Sequence, residues 1–428
     1  MLDMKLIREN PQAVIDGLKK KGRDAAEEIR EVLALDEKRR EIIARSETLR
    51  AEQNQVSKQL PRLKKEGIDV AGTLEKMKEI AATIKEDAAA LRETEDALNA
   101  ILLAFPNLPD EDVLPGGKEN NAVVRTFGKL PEFGFEPQNH VDLCQSLGLI
   151  DYARGAKLAG SGFWVYRGMG ARMEWALLNY FIDTHLGDGY ELLFVPHILG
   201  YEAGLTSGQF PKFEDDVFWL EGEARKQFLL PTAETALVGL HQGELLDEAD
   251  LPRKYIAFTP CYRREAGSYR AEERGMIRGH QFNKVEMVQY TAPENSAEAF
   301  EELVAKAERL MQGLGLHFQT VKLAAEDCSA SMARTYDIEV YIPSMGGYKE
   351  VSSASNAGDY QARRGNMRYR DSASGKNRFV HTLNASGLAT SRLLPAIVEQ
   401  NQMKDGSVRV PEVLRKYMGN VEILKNDD

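Results

Sequence analysis

The sequence predicts an α+β protein in two parts. An N-terminal antiparallel helical hairpin (a coiled coil) precedes a larger domain built on an antiparallel β-sheet flanked by helices. Three observations carry this. Apolar residues recur every seven positions through two long segments near the N-terminus. A Pro/Gly-rich stretch, with Asn107-Leu-Pro, Pro115-Gly-Gly and Lys118–Asn121, then breaks the pattern. Beyond it, strand-like runs follow one another mostly through loops, which favours an antiparallel over a doubly wound sheet. The expected division is 1–108 for the helical arm and 109–428 for the second domain.

Composition sets the bounds. The chain has 428 residues, enough for two or three domains with a sizeable core. No apolar run reaches membrane-spanning length, so no membrane association is expected. The N-terminus, MLDMKLIRENPQAV, carries acids and lacks a signal-peptide core. The cysteines, Cys144, Cys261 and Cys328, are scattered and odd in number, which disfavours a disulfide framework or a four-ligand zinc site. A reducing cytoplasm is the expected location. The formal net charge is -11. For nucleic-acid contacts the local distribution matters more than that total.

In the hairpin, Leu35, Ile42, Leu49, Val56 and Leu63 form one column of the first helix. A second column, Val32, Arg39, Ser46, Gln53 and Leu60, is mostly polar. Pro61 is expected to kink or end this helix, and Gly67 to turn the chain. The second helix carries Met77, Ile84, Leu91 and Leu98, with Leu74, Ala81, Ala88 and Leu102 as its other column. Helices of roughly 35 residues reach about 50 Å. Such a rod must project. Between Lys38 and Lys65 lie nine bases and three acids. The bases are Lys38, Arg39, Arg40, Arg45, Arg50, Lys58, Arg62, Lys64 and Lys65. Taken alone this reads first as a solvated coiled-coil face and second as a footprint for a phosphate backbone.

In the second domain, the Gly170–Leu186 segment is an amphipathic helix and Glu191–Val195 a strand stopped by Pro196. Ser296–Gln312 is a helix ended by Gly313 and Gly315. Ile338–Ile342 and Tyr348–Ser353 are strands, and Asn384–Gln400 reads as a glycine-containing turn entering a helix. The densest stretch is YIAFTPCYRREAGSYRAEERGMIRGHQFNKVEMVQY, Tyr255–Tyr290. Its ends read as strands, Tyr255–Arg264 and Gln281–Tyr290, around a polar excursion, Glu265–Gly279. Two such strands aim Arg263, Arg264, Glu265, Arg278, Phe282 and Glu286 at one face. Cations suit phosphate, an aromatic ring suits a flat base, and carboxylates suit an ammonium or an exocyclic amine. These residue types suggest a nucleotide site, although neither GxxxxGK[ST] nor G-x-G-x-x-G follows a strand.

CYRREAGSYRAEERGMIRGHQFNKVE resembles motif 2 of the class II aminoacyl-tRNA synthetases, in the form typical of the seryl-tRNA synthetase family. Other parts follow in that family's order. Gly170–Pro196 resembles motif 1, which implies a homodimer. Pro231-Thr-Ala-Glu resembles the serine-site loop, and Glu350-Val-Ser-Ser-Ala-Ser-Asn a strand under ATP. Thr382-Leu-Asn-Ala-Ser-Gly-Leu-Ala-Thr-Ser-Arg392 resembles motif 3. The hairpin matches the family's tRNA-binding arm.

The resemblance implies a class II catalytic domain that forms seryl-adenylate from L-serine and ATP. It then passes serine to the terminal adenosine of tRNA(Ser), with tRNA(Sec) as a further acceptor. By the same resemblance, Arg263 clamps the α-phosphate and Arg392 stacks on adenine opposite Phe282. Glu265 accepts from the adenine amino group, and Arg278 reaches the terminal phosphate. Arg264, Val351 and Ser352 join the ATP site. Glu350 and Ser353 hold Mg²⁺, and no zinc is expected. Thr232, Ala233, Glu234, Glu286 and Ser386 form the serine pocket. His280 and His381 are read as structural. The sequence departs from the family at Arg264, where serine is usual, and in the loop Tyr269-Arg-Ala-Glu-Glu. It also departs in motif 3, where Ala385 stands for a common Gly and Thr390-Ser391 for Val-Gly. The alternative reading is a paralogue that adenylates an amino acid for a non-tRNA acceptor.

Overall fold

The computed structural model describes residues 1–67, 69–222, 226–265 and 275–426, apart from the Lys64 side chain. The loop Tyr269-Arg-Ala-Glu-Glu and most of the Glu265–Gly279 excursion therefore lie outside the described residues. Two compact units divide the chain. One is Leu2–Lys19 with Arg23–Phe105; the other holds Met1, Lys20–Gly22 and the chain from Pro106 on.

The first unit is dominated by two helices, Ala26–Lys65 and Ala71–Ala104. Their 40 and 34 residues correspond to about 60 and 51 Å at a helical rise of 1.5 Å. Pro61 does not end the helix: it lies inside the first one, in the turn that leads to Lys65. Proline has no N–H to give the Ser57 carbonyl, and Ser57 is exposed, so the lost helical bond costs little there. The second helix corrects one heptad column. Leu74, Ala81 and Ala88 are exposed, and the inward positions are Ile80, Asp87 and Thr94. Two of these are polar, so hydrophobicity does not mark them. Asp87 pairs with Arg45, and Ser46 donates to it. Thr94 satisfies its hydroxyl on the Ala90 carbonyl at 2.7 Å.

The second unit is built on an eight-stranded sheet. In chain order its strands are β1 (Ala122–Phe127), β2 (Glu191–Leu193), β3 (Arg253–Tyr262), β4 (Gln281–Thr291), β5 (Phe318–Lys322), β6 (Arg334–Ile342), β7 (Gly347–Gly358) and β8 (His381–Ala389). They lie in the order β1-β5-β6-β7-β8-β4-β3-β2. All pairings are antiparallel except β2 with β3.

Alternation divides β4 between two environments. Val285 and Met287 enter a core shared with the helices Met169–Gly187, Ser296–Leu314 and Thr390–Gln400. Val288 and Tyr290 enter a second core, formed with the short helix Ala233–Val238 and the small sheet containing Phe228. Phe282, Lys284 and Glu286 share parity with that second set.

Several boundaries differ from those expected. Ser296–Leu314 runs through Gly313 and stops at Gly315, whose φ of +69° gives the left-handed cap. Asn384–Ala389 is strand rather than turn. A side chain at Gly387 would come within 3.1 Å of His185 Nε2 and the Val285 carbonyl, so glycine here serves close packing. β8 also carries one extra residue against β4: Lys284 faces Ala389, but Glu286 faces Ser386. Leu388, at this bulge, has φ +74°.

Candidate active site

The β3–β4 ladder places Phe282 opposite Cys261 and Glu286 opposite Ala257. On its far side β4 pairs with β8, which brings in Ser386. These strands, with the start of the Thr390–Gln400 helix, bound a cleft. Arg263, Glu265, Arg278, Phe282, Glu350, Val351, Ser386 and Arg392 all line it.

At one end of the cleft Glu286 is fully buried. Lys284 forms an ion pair with it and reaches Ser386 Oγ at 3.1 Å. Asn384 Nδ2 donates to Glu286 Oε1 at 3.1 Å. The hydroxyls of Thr232 and Ser386 each lie 3.5 Å from Oε2. Thr232 also caps the Ala233–Val238 helix, accepting from the Glu234 N–H at 3.2 Å. That cap fixes where Glu234 begins its turn. Glu234 is buried and accepts from Gln361 Nε2 at 3.2 Å. Burial first, and the nearby Glu286 carboxylate second, push its carboxyl up to about 7.

At the other end the Arg263 guanidinium stands 5.2 Å above the Phe282 ring, and its Nε donates to the Pro231 carbonyl at 3.2 Å. The His280 ring contacts the Arg263 carbonyl at 3.0 Å, which supports its reading as structural. Arg278 and Glu265 pair at 2.5 Å, with Glu265 in the left-handed region at φ +50°. Arg392 donates to the Ile277 and Glu350 carbonyls at 3.1 and 2.6 Å. Its side chain lies 3.7 Å from the half-exposed Glu350 carboxylate.

Other expected residues stand apart. Arg264 is exposed and outside the cleft lining; its backbone N–H bonds to the Asp216 carbonyl at 2.8 Å. Ser352 is buried and donates to the Ser386 carbonyl at 2.6 Å. Ser353 lies opposite Asp337 across β6 and β7.

Three residues escaped the sequence reading. Lys284 and Asn384 complete the Glu286 cluster; counting two positions from Phe282 and from Ser386 along a strand would have found them. Asp337 is the third. Burial and the neighbouring Glu350 hold its carboxyl well above the usual range, and its Oδ1 is buried without a hydrogen-bond partner among the described residues. An orphaned oxygen beside a carboxylate and a hydroxyl is a donor set that fits a hard cation such as Mg²⁺. Among the described residues no three His, Cys, Asp or Glu side chains form a ready metal cluster.

Residues 1–109 match the seryl-tRNA synthetase N-terminal domain, and 218–401 match the tRNA synthetase class II core domain (G, H, P, S and T). A serine–tRNA ligase 2 of Clostridium acetobutylicum is 59% identical over 98% of this chain and 99% of its own. A serine–tRNA ligase of Thermotoga neapolitana is 47% identical over 98% and 99%. Among solved structures, seryl-tRNA synthetase from Pyrococcus horikoshii, complexed with ATP, superposes with a TM-score of 0.93 at 35% identity, covering all of both chains. The cytoplasmic serine-tRNA ligase of Naegleria fowleri, in complex with AMP, gives 0.87 at 29%, covering 100% and 99%. With both domains matched and similarity running the length of the chain, this protein belongs to the seryl-tRNA synthetase family.

Proposed function

We propose that this chain activates L-serine with ATP and transfers it to tRNA(Ser), with the cleft residues in the following roles. The observation that carries the reading is the Glu286 cluster, set at the end of a cleft that also presents Arg263, Phe282 and Arg392.

The serine ammonium takes the place of Lys284 Nζ against Glu286, and Lys284 is released toward the reacting carboxylate and phosphate. The serine hydroxyl is received by Thr232 and Glu234. A site that hydrogen-bonds the hydroxyl rejects alanine by roughly 10⁴ or more, because the site's own polar groups are otherwise left unpaired. Arg263 leaves the Phe282 face to hold the α-phosphate as the serine carboxylate attacks it, and adenine fills the space between Phe282 and Arg392. The bond formed is carboxylate oxygen to phosphorus; the bond broken releases pyrophosphate. No protein nucleophile is required, so catalysis rests on alignment and charge stabilisation. Glu350 and Ser353, with Asp337 behind them, would hold Mg²⁺, which when bound offsets charge on the phosphate oxygens.

Trp175 on the Met169–Gly187 helix and Phe194 after β2 are exposed, at 56% and 86%. Aromatic exposure of this degree supports a homodimer through this face. The hairpin's bases support contact with the tRNA backbone, and tRNA(Sec) is included on the same basis. Among the described residues no helix is long and apolar enough to cross a membrane.

The test is ATP–pyrophosphate exchange with each amino acid in turn, followed by charging of total tRNA. Serine alone is expected to support rapid exchange and to be loaded. Exchange with another amino acid, or none, would overturn the assignment.

A further inference from the structure

A second polar cluster lies behind β4, on the opposite side of that strand from the cleft. Alternation turns Asn283 away from Phe282 and Lys284, toward the Met169–Gly187 helix. There Asn283 Nδ2 donates to Glu174 Oε1 at 2.8 Å. Thr390 Oγ1 lies 2.5 Å from the same oxygen and 3.1 Å from the Asn283 carbonyl. Glu174 is buried, and its Oε2 has no hydrogen-bond partner among the described residues. The groups acting on it are Thr390 at the start of the Thr390–Gln400 helix, Asn283 from β4, and Tyr166 from the short Val165–Tyr166 strand; none carries a charge. The Tyr166 hydroxyl is itself buried, and burial holds it protonated.

Proton counting constrains this arrangement. Thr390 has one hydroxyl proton but faces two oxygens, Glu174 Oε1 and the Asn283 carbonyl. Were Glu174 an anion, Thr390 could serve only one of them, and a buried charge would stand without a cation. We propose that Glu174 is a positioning residue for the ATP half of the site and works as a neutral acid. Its carboxyl proton goes to Thr390 Oγ1, and the Thr390 hydroxyl goes on to the Asn283 carbonyl. Burial pushes the carboxyl up to about 7, in the same direction. Asn283 adjoins Phe282, and Thr390 stands two residues before Arg392. One proton thus ties together the backbones that carry the two sides of the adenine slot. This rests on the reading of that slot given above.

Gln at 174 keeps a neutral donor and acceptor, and the Asn283 amide accommodates it by turning over. Calorimetric ATP binding to the full-length protein, and to its E174Q and E174A variants, between pH 6 and 8.5 is the test. E174Q should bind ATP within about twofold of the unaltered protein at pH 6, while E174A weakens it about tenfold. Raising the pH through 7 should weaken ATP binding by the unaltered protein severalfold and leave E174Q flat; ATP's own titration cancels in that comparison. The KM for serine should move less than twofold in either variant. If E174A does not fold, Thr390→Val removes both links and should weaken ATP binding in the same way. An infrared difference spectrum between the unaltered protein and E174Q at pH 6 should contain a protonated carboxyl stretch. E174Q behaving like E174A, absence of that stretch, or equal effects on serine and ATP would overturn the proposal. A lack of serine-dependent exchange in the unaltered protein would instead strike the functional reading, while ATP binding and the infrared band still decide the role of Glu174.

Discussion

The hairpin and the sheet domain use ion pairs in opposite ways. In the hairpin the pairs join or brace two helices: Arg39 meets Glu95 at 2.9 Å, and Arg45 meets Asp87. Their arginines are more than a third exposed, where such pairs contribute little individually. In the cleft, Lys284 and Glu286 are both buried. Removing one charge there leaves the other desolvated, at a cost of about 3–5 kcal/mol. Charges in the arm are therefore exchangeable in groups, whereas charges in the cleft act one at a time.

The sharpest break of this contrast is Glu286→Ala. Serine-dependent exchange should fall by roughly 10³ or more, since ammonium recognition and Lys284 neutralisation are lost together. Retained activity with normal serine affinity would refute its role. Deleting about Glu28–Ala104 should cost nearly all tRNA charging while leaving exchange within about threefold, because adenylation chemistry uses only cleft residues. Unchanged charging would sink the arm assignment.

A finer division follows inside the arm. Arg39, Arg40, Arg45 and Arg62 have carboxylate partners within the hairpin. Arg50, Lys58 and Lys65 have none among the described residues. Replacing those three with Ala should raise the KM for tRNA about tenfold and flatten its salt dependence by up to three phosphate contacts. Replacing Asp87 with Ala should instead lower the melting temperature without changing exchange, as Arg45 and Ser46 lose their shared partner. If the two sets behave alike, the division is wrong.

The smallest effect concerns Glu234. Its carboxyl, raised to about 7, is neutral below that value and anionic above it. An unfolded Glu titrates near 4.3, so this group's contribution to stability is full below about 4 and lost as pH climbs through 7. The anion is the better acceptor for a hydroxyl. The KM for serine should fall a few-fold between pH 6 and 8, and E234Q should abolish the change. Glu174 predicts the reverse trend for ATP, so the two carboxyls are separable by substrate.

How far the sequence foretold these regions differs as well. The heptad repeat located both long helices, yet misassigned the column through Asp87 and Thr94. Polar residues buried by pairing carry no hydrophobic signal. In the cleft, residue chemistry and motif resemblance singled out Arg263, Phe282, Glu286 and Arg392, which the sheet gathers. Lys284 and Asn384 were passed over although strand parity alone places them beside Glu286. Asp337 and Glu174 were out of reach, because their meaning depends on which strands and helices meet; Thr390 stood out only as a departure within motif 3, and its partners are set by that same meeting. The Asn384–Ala389 segment read as a turn because Gly387 looks like a breaker until the His185 ring is seen against it.

The extra residue in β8 sets the reading frame of the whole cleft. Without it, Ser386 would still face Glu286, but each later position would shift by one against β4. Thr390 would lose its alignment with Asn283, and Arg392 would rotate by about 100° around its helix. Leu388 pays for this frame with a left-handed backbone that leucine disfavours by roughly 1–2 kcal/mol. A strand with no such kink would be easier to fold, but it would turn the wrong side of the helix, without Arg392, toward the cleft.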